Sequence, residues 1–421
     1  VNLDKVEEKV SQKDKIAKDL ALELLSSYPL CEFCLGSQLA TLSNGSPWML
    51  GRTVLESLSR EKGVVGENAA KGLSGECWVC KGLVTSILPK LISKALFSLS
   101  NIEFESFKSG TKLPADIVER EDELRGRYGI WTAESLKVVI NKYVDETIAV
   151  KTGLKVKPEK PDVLVSLDLI LKEVKVIPSP VFIYGRYRKL KRGLYQTRWV
   201  PGAEGTIESY IGEIMRAAFE AEDYRLHAAG REDFDVRMLG SGRPFVMELI
   251  RPRKRKVDLK ALEGEINSRL NGIIGVSDLR KVSRRTVVLI KESSGIMRKV
   301  YRAKVVTDGK ISPEKLKKLE IEFFNATIKQ KTPKRVLHRR ADLLRVRRVY
   351  KVSTRLLSEN SFEMIIECDG GLYIKELIDG DGGRTKPSVS EILGEKAFCS
   401  ELDVIDIIVP DELMKEVEVH G

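Results

Sequence analysis

An α/β (α+β) fold built from two or three domains is what this sequence predicts, on three observations. Its 421 residues exceed what a single ordinary small core organises. Stretches with apolar residues at helical spacing alternate with short apolar or alternating runs, the pattern of a mixed sheet covered by helices. Four of the six cysteines fall in two Cys-x2-Cys pairs near the start, which marks a metal-bearing module distinct from the rest.

Composition narrows the function classes. An apolar share of 42% argues against disorder, and 72 Lys+Arg against 61 Asp+Glu leave a net charge of +11. Clustered positive charge attracts phosphates at long range, so a nucleic acid is the expected partner, with a merely well-solvated basic surface as the plainer reading. No apolar run approaches the length of a membrane span, and the charged opening VNLDKVEEKVSQKDKIAKDLALELL lacks the apolar core of a signal peptide. With paired thiols instead of a disulfide pattern, a reducing, cytoplasmic setting is expected.

Residues 1–95 read as a helical module holding a metal. Val10, Ile16, Leu20, Leu22 and Leu25 recur at helical spacing until Pro29, and a second helix is expected near Thr53 to Arg60. Two residues between thiolates let both sulfurs turn to one ion. Cys31, Cys34, Cys77 and Cys80 therefore predict a tetrahedral, structural zinc site, closed across a gap of 42 residues. A redox pair or buried apolar thiols are the alternatives. A hydrolytic deaminase zinc would need His-x-Glu, which none of His227, His338 and His420 begins. Cys368 and Cys399 are isolated and expected in cores.

Residues 96–200 read as mixed α/β: a helix over 131–148 and strands over 161–170, 171–177 and 180–188. The last opens into YGRYRKLKRGLYQTRW, where Arg186, Arg188, Lys189, Lys191, Arg192 and Arg198 mingle with Tyr184, Tyr187, Tyr195 and Trp199. Phosphates meeting cations while bases stack on rings is one reading, and an edge strand with snorkelling cations the other.

Residues 201–421 open with an amphipathic helix in TIESYIGEIMRAAFEAEDY. Strands are expected over 285–292, 298–306, 362–370 and in ELDVIDIIVP. Arg251 and the run Arg253 to Lys256 form a compact positive cluster. The eight Lys and Arg of 331–350 are too many for one solvent face of a helix and predict an electropositive wall.

GREDFDVRMLGSGRPF, residues 230–245, is the most informative stretch. Asp233 can face a ligand while Asp235 and Arg237 join a supporting network. Gly240 and Gly242 permit tight backbone, and Arg243 is expected to reach a phosphate. A surface ion-pair loop explains the same residues without chemistry.

This segment, together with CEFC…CWVC, FKSGTKLP, QKTPKRVLHRRADLLRVRRVY and GLYIKELIDGDGGRTKPS, resembles the archaeal and eukaryotic tRNA pseudouridine synthase group called the Pus-ten family. The motifs run from near the start to about residue 400, so the likeness covers most of the chain. It implies an N-terminal zinc-binding, THUMP-containing RNA-binding region and a mixed-sheet catalytic domain whose cleft lies between two halves. Gly230-Arg231-Glu232-Asp233 is similar to a Gly-Arg-Thr-Asp motif of another synthase class, which gives Asp233 the catalytic aspartate's role. Lys299-Val300-Tyr301 resembles the Lys-x-Tyr strand motif, in which the Tyr301 ring packs on the target base; a core strand residue is the plainer reading. GLYIKEL resembles a Gly-x-Tyr-Ile-Lys/Arg motif. Read as a strand, it puts Tyr373, Lys375 and Leu377 on one face, and the resemblance pairs Lys375 with Asp233. Leu402 is carried over as an apolar wall behind the base. Arg384 and Lys386 of DGDGGRTKP read as an RNA-contacting turn.

The implied reaction breaks the N1–C1′ bond of an everted uridine and joins C1′ to C5, with tRNA as partner, structural zinc and no organic cofactor. Asp233 either deprotonates C2′ on a glycal route or attacks C1′. The expected target is the TΨC arm, position 55 foremost and 54 second, and no obligate protein partner is evident. A noncatalytic tRNA-binding or chaperone protein is the rival. A methyltransferase is disfavoured because GSGRP is a poor nucleotide loop.

Overall fold

The computed structural model describes residues 3–42, 45–131, 133–198, 205–338 and 340–420. The chain forms two compact units, residues 1–179 and 180–421. Among the described residues no helix is long and apolar enough to cross a membrane.

In the first unit, helices Leu3–Leu25, Glu32–Leu39, Pro47–Leu58, Val64–Leu73 and Leu83–Leu99 precede a small sheet. Its strands are β1 (Ser106–Lys112), β2 (Lys155–Val156), β3 (Val163–Asp168) and β4 (Glu173–Pro178), in the order β2-β1-β3-β4. Both neighbours of β1 run parallel to it, and the crossover to β3 passes through helices Ala115–Tyr128 and Leu136–Thr152. Strict alternation on β3 puts Val163, Val165 and Leu167 into the core, as its sequence predicts. The Ser135 hydroxyl caps the helix that follows it by accepting from Val138 N–H. The expected boundary at residue 95 is not a division between units. Leu88, Leu91 and Ile92 pack in the same core as Phe107 and Val165, because neither layer alone buries its apolar face.

The second unit is built on a ten-stranded sheet. Its strands are β5 (Val181–Lys189), β6 (Asp223–Ala228), β7 (Arg237–Ile250), β8 (Ile274–Val282), β9 (Arg298–Thr307), β10 (Ala326–Lys331), β11 (Leu344–Ser358), β12 (Ser361–Cys368), β13 (Thr385–Lys386) and β14 (Ala397–Ile408). The order is β13-β10-β11-β12-β9-β14-β7-β5-β8, with β6 also on β7. Two antiparallel halves meet where β14 runs parallel to β7, paired only at Asp403–Arg237 and Val404–Met238. Gly240 makes this junction possible. Its φ is +56°, and a Cβ there would fall 1.9 Å from the Ile405 carbonyl oxygen.

Four expectations are corrected. The division near residue 200 moves to 179/180, because β5 is an interior strand hydrogen-bonded to both β7 and β8. The segment YGRYRKLKRGLYQTRW is therefore not chiefly an RNA-facing surface. Tyr184, Tyr187 and Lys189 are buried, Arg186 donates to the Ser241, Gly242 and Ile407 carbonyls, and Arg198 pairs with Asp223. Trp199 lies outside the described residues. Residues 285–292 are not a strand but part of helix Arg284–Ser293, capped by Ser283, with Thr286, Val287 and Ile290 buried at helical spacing. GLYIKEL is not a strand either. Helix Ile374–Asp379 buries Ile374, Leu377 and Ile378, a spacing of three and four rather than two.

Candidate active site

The turn Ala229–Val236 joins β6 to β7 and hangs over the junction of the two halves. Its backbone is held from below. Lys189 Nζ donates to the carbonyls of Asp233 and Phe234 at 3.1 and 2.8 Å, Gln196 Nε2 to that of Gly230 at 2.9 Å, and Arg192 Nη1 to that of Asp235 at 2.7 Å. The carboxylate of Glu232 points inward: Arg243 Nε donates to it at 2.8 Å and the Tyr187 hydroxyl at 3.1 Å, and Arg243 Nη1 donates to the Ala229 carbonyl at 2.6 Å. Both side chains of the Glu232–Arg243 pair are only 1% exposed. The expected phosphate contact of Arg243 is thereby corrected, since its guanidinium is consumed in fastening the turn.

Asp233, the next residue, faces the other way, into a cavity of about 500 Å³. Tyr301 and Lys299 of β9, Leu402 and Val404 of β14, and Arg231, Arg335, Arg340, Arg345, Arg347 and Lys375 also line it. Strand alternation explains the sorting. Leu402 and Val404 turn to the cavity, while Asp403 between them turns away and meets Arg192, Arg237 and Arg302 at 2.8, 2.8 and 2.9 Å. Burial opposes ionisation of Asp403, but Arg237 and Arg302, with Arg192, more than offset it and hold its carboxyl below the usual range. Burial pushes the Tyr301 phenol well above its ordinary value, so the ring enters the cavity uncharged.

Asp233, Tyr301, Lys375 and Leu402 are thus brought to one cavity, but the pairing differs from expectation. Arg335 Nη1 lies 2.9 Å from Asp233 Oδ2. Lys375 Nζ instead contacts Asp235, at 2.9 and 2.7 Å. Arg335 is itself fixed through Nε to the buried carboxylate of Glu376, at 2.6 Å. It belongs to the basic run 331–350, whose charge was evident in the sequence; which of its cations reaches the aspartate depends on a fold contact 102 positions away along the chain. Arg384, expected to touch RNA, instead pairs with Asp342 and donates to the Thr332 carbonyl.

In the first unit the four thiols of Cys31, Cys34, Cys77 and Cys80 are buried, with their sulfurs all within 4.8 Å of one another. Cys31 Sγ and Cys80 Sγ are 3.7 Å apart. An ion bound tetrahedrally at about 2.3 Å from each sulfur requires separations of about 3.8 Å, so the donor set fits a structural zinc with no open position. The bound ion would supply a crosslink between helix Glu32–Leu39 and the knuckle at Cys77–Cys80.

An acid, an uncharged aromatic and several guanidiniums share one cavity of about 500 Å³, an arrangement of the class that suits a nucleotide of a polyanion. Residues 182–408 match the family model "Pus10, C-terminal", and residues 91–168 match "Pus10 THUMP domain, archaeal". A "tRNA pseudouridine synthase Pus10" of Korarchaeum cryptofilum is 45% identical over 378 residues, 86% of this chain and 100% of that protein. Proteins of the same name from Pyrococcus furiosus and Methanocaldococcus jannaschii are each 39% identical, across 92% and 91% of this chain and 97% and 93% of theirs. A chain of a Cbf5-Nop10-Gar1 complex is a distant neighbour in structure, 17% identical over 53% of this chain and 58% of that one, at a TM-score of 0.29. The chain belongs to the Pus10 family, and its activity is that of a pseudouridine synthase, an isomerase.

Proposed function

We propose that this enzyme isomerises uridine to pseudouridine in tRNA, within the TΨC arm, at position 55 foremost and 54 second, with Asp233 as the catalytic carboxylate. One observation carries the reading: Asp233 and Tyr301 face the same cavity from different strands and turns, inside a ring of arginines. The names of the relatives support tRNA as the substrate, and a cytoplasmic setting accords with the four reduced thiols.

The target uridine leaves its stack, at a cost of a few kcal/mol that phosphate contacts and ring packing must offset. Arg231, Arg340 and Arg347 on the rim suit the flanking phosphates. The Tyr301 ring packs on the uracil, and Leu402 and Val404 close the wall behind it and keep water from the freed base. Asp233, aimed by Arg335, acts on the sugar at C2′ or C1′. Lys375 takes a supporting part through Asp235. The 1–179 unit, with its zinc and THUMP region, serves tRNA recognition. A tRNA-binding protein without catalysis would explain the charge but leaves the fastened turn around Asp233 without a task.

The test is to incubate the protein with unmodified tRNA transcript, with no added organic cofactor, and map pseudouridine. Product is expected in the TΨC arm from wild type and none from Asp233→Asn, with tRNA affinity retained. Product from Asp233→Asn would overturn the assignment of the carboxylate, and none from wild type on several folded tRNAs would favour binding alone.

A further inference from the structure

Lys299 precedes Tyr301 by two residues on β9, so the pleat turns both side chains toward the cavity. The residue is only 7% exposed. A Cβ on Gly230, whose φ is +76°, would lie 3.4 Å from both Lys299 Nζ and Arg243 Nη1. The ammonium and the guanidinium therefore flank the root of the turn that carries Asp233. Arg243 is neutralised by Glu232 at 2.8 Å, whereas no described residue offers Lys299 Nζ a hydrogen bond or an ion pair. The cluster beneath the cavity is left with one cation in excess. A buried, unmatched ammonium is costly, and a ligand that brings negative charge relieves it.

We infer that Lys299 donates a hydrogen bond from Nζ to a carbonyl oxygen of the target uracil and stabilises the uracil anion released when the glycosidic bond breaks, which makes it a further catalytic residue. The inference rests on the pseudouridine synthase reading of this cavity. In the step concerned, the N1–C1′ bond breaks heterolytically and its electron pair stays with N1, spreading onto the ring carbonyl oxygens. The Nζ proton is shared but not transferred. C5 then supplies the pair for its new bond to C1′, as either the C1′–Asp233 ester bond breaks or the glycal π pair takes back at C2′ the proton that Asp233 removed, and the C5 hydrogen leaves as a proton. The uracil anion forms whichever role Asp233 takes at the sugar. A donor already fixed before charge develops is worth most where water is excluded.

The electrostatic surroundings suit this task. Burial, aided by the Arg243 guanidinium, lowers Lys299 to about 8. The ammonium form is thus present at neutral pH and is lost as pH rises past that value. The groups facing it are Arg243 on β7, Glu232 on the turn, Cys368 on β12 and Tyr301 on its own strand. Burial pushes both the Cys368 thiol and the Tyr301 phenol far up, and Arg243 is raised further, so none of these three changes charge in that window.

Lys299→Met keeps the apolar stem and removes the donor. Its single-turnover rate on full-length tRNA transcript is expected to fall about 100-fold, with the tRNA Kd within about twofold of wild type. Fluorine at C5 makes uracil a better leaving group. On transcript carrying 5-fluorouridine, the loss in the rate of N1–C1′ cleavage is therefore expected to shrink to about tenfold or less. Lys299→Gln, a neutral donor, is expected to recover part of the rate and to lose the wild-type decline above pH about 8. It carries the test by itself if the methionine variant does not fold. A Lys299→Met rate close to wild type, an equal loss on both transcripts, or a loss explained by weaker tRNA binding overturns the inference. Wild type that is active beside an unimpaired Lys299→Met defeats only the lysine's role, whereas inactive wild type defeats the synthase reading with it.

Discussion

Arg335 reaches the Asp233 carboxylate at 2.9 Å, while Lys375, the cation that the sequence motif nominates for it, closes on Asp235 at 2.7 Å. The difference has a mechanical basis. Arg335 is gripped from behind by Glu376, whose side chain is 5% exposed, whereas the Asp235 side chain is 62% exposed and its pair with Lys375 is open to water. A charge-assisted bond to a fixed partner is worth more than one at a wet surface.

Arg335→Met should therefore slow single-turnover pseudouridine formation by about tenfold to 100-fold, and Lys375→Met by distinctly less. Rates on the same tRNA transcript, with tRNA affinity measured alongside, decide the order. The reverse order would mean that Lys375 moves to Asp233 when substrate binds.

Breaking the Glu232–Arg243 pair should unfold the turn rather than merely weaken the chemistry. Each side chain is 1% exposed, and removing one partner strands the other charge in the core. Arg243→Ala is expected to cost roughly 3–5 kcal/mol, read by denaturant unfolding. Loss of activity at unchanged stability would contradict this assignment.

Asp403 gives the second unit an acid-sensitive joint. Its folded-state value lies below the unfolded one, so its contribution is fully present above the unfolded carboxyl pKa of about 3.9 and is lost as pH falls through the folded value. Asp403→Asn should lower stability near neutral pH, because Arg192, Arg237 and Arg302 lose their common partner. It should also flatten the decline in acid. Thermal melts of both proteins from pH 7 down to pH 2 test the two expectations together.

The first unit should depend on its metal. Metal analysis is expected to find one zinc per chain, and Cys31→Ser should release it and loosen the buried packing around Leu35, Val79 and Val84. Hydrogen exchange localises the effect: protection should fall within residues 30–99 and persist on β9 and β14. A native protein free of metal would remove the four-thiolate site.

Local chemistry was legible from the sequence wherever it was written in neighbouring residues. The Cys-x2-Cys spacing specified the four clustered thiols, short apolar or strand-like runs marked β3, β9 and β12, and the motif around Asp233 singled out a carboxylate that lines the cavity. What remained hidden was decided by partners far apart in the chain. YGRYRKLKR looks like a solvated edge because its cations are visible and their acceptors, carbonyls on β7 and β14, are not. GLYIKEL is compatible with a strand until Ile374, Leu377 and Ile378 find a core at helical spacing. Arg335 is one arginine among many until Glu376 fixes it, and Lys299 is one lysine in a strand until burial on β9 strips it of partners. Residue type and spacing along the chain determine which groups are available; only packing between distant strands decides which of them lose water, and in low dielectric it is desolvation that sets how a charge must be paired.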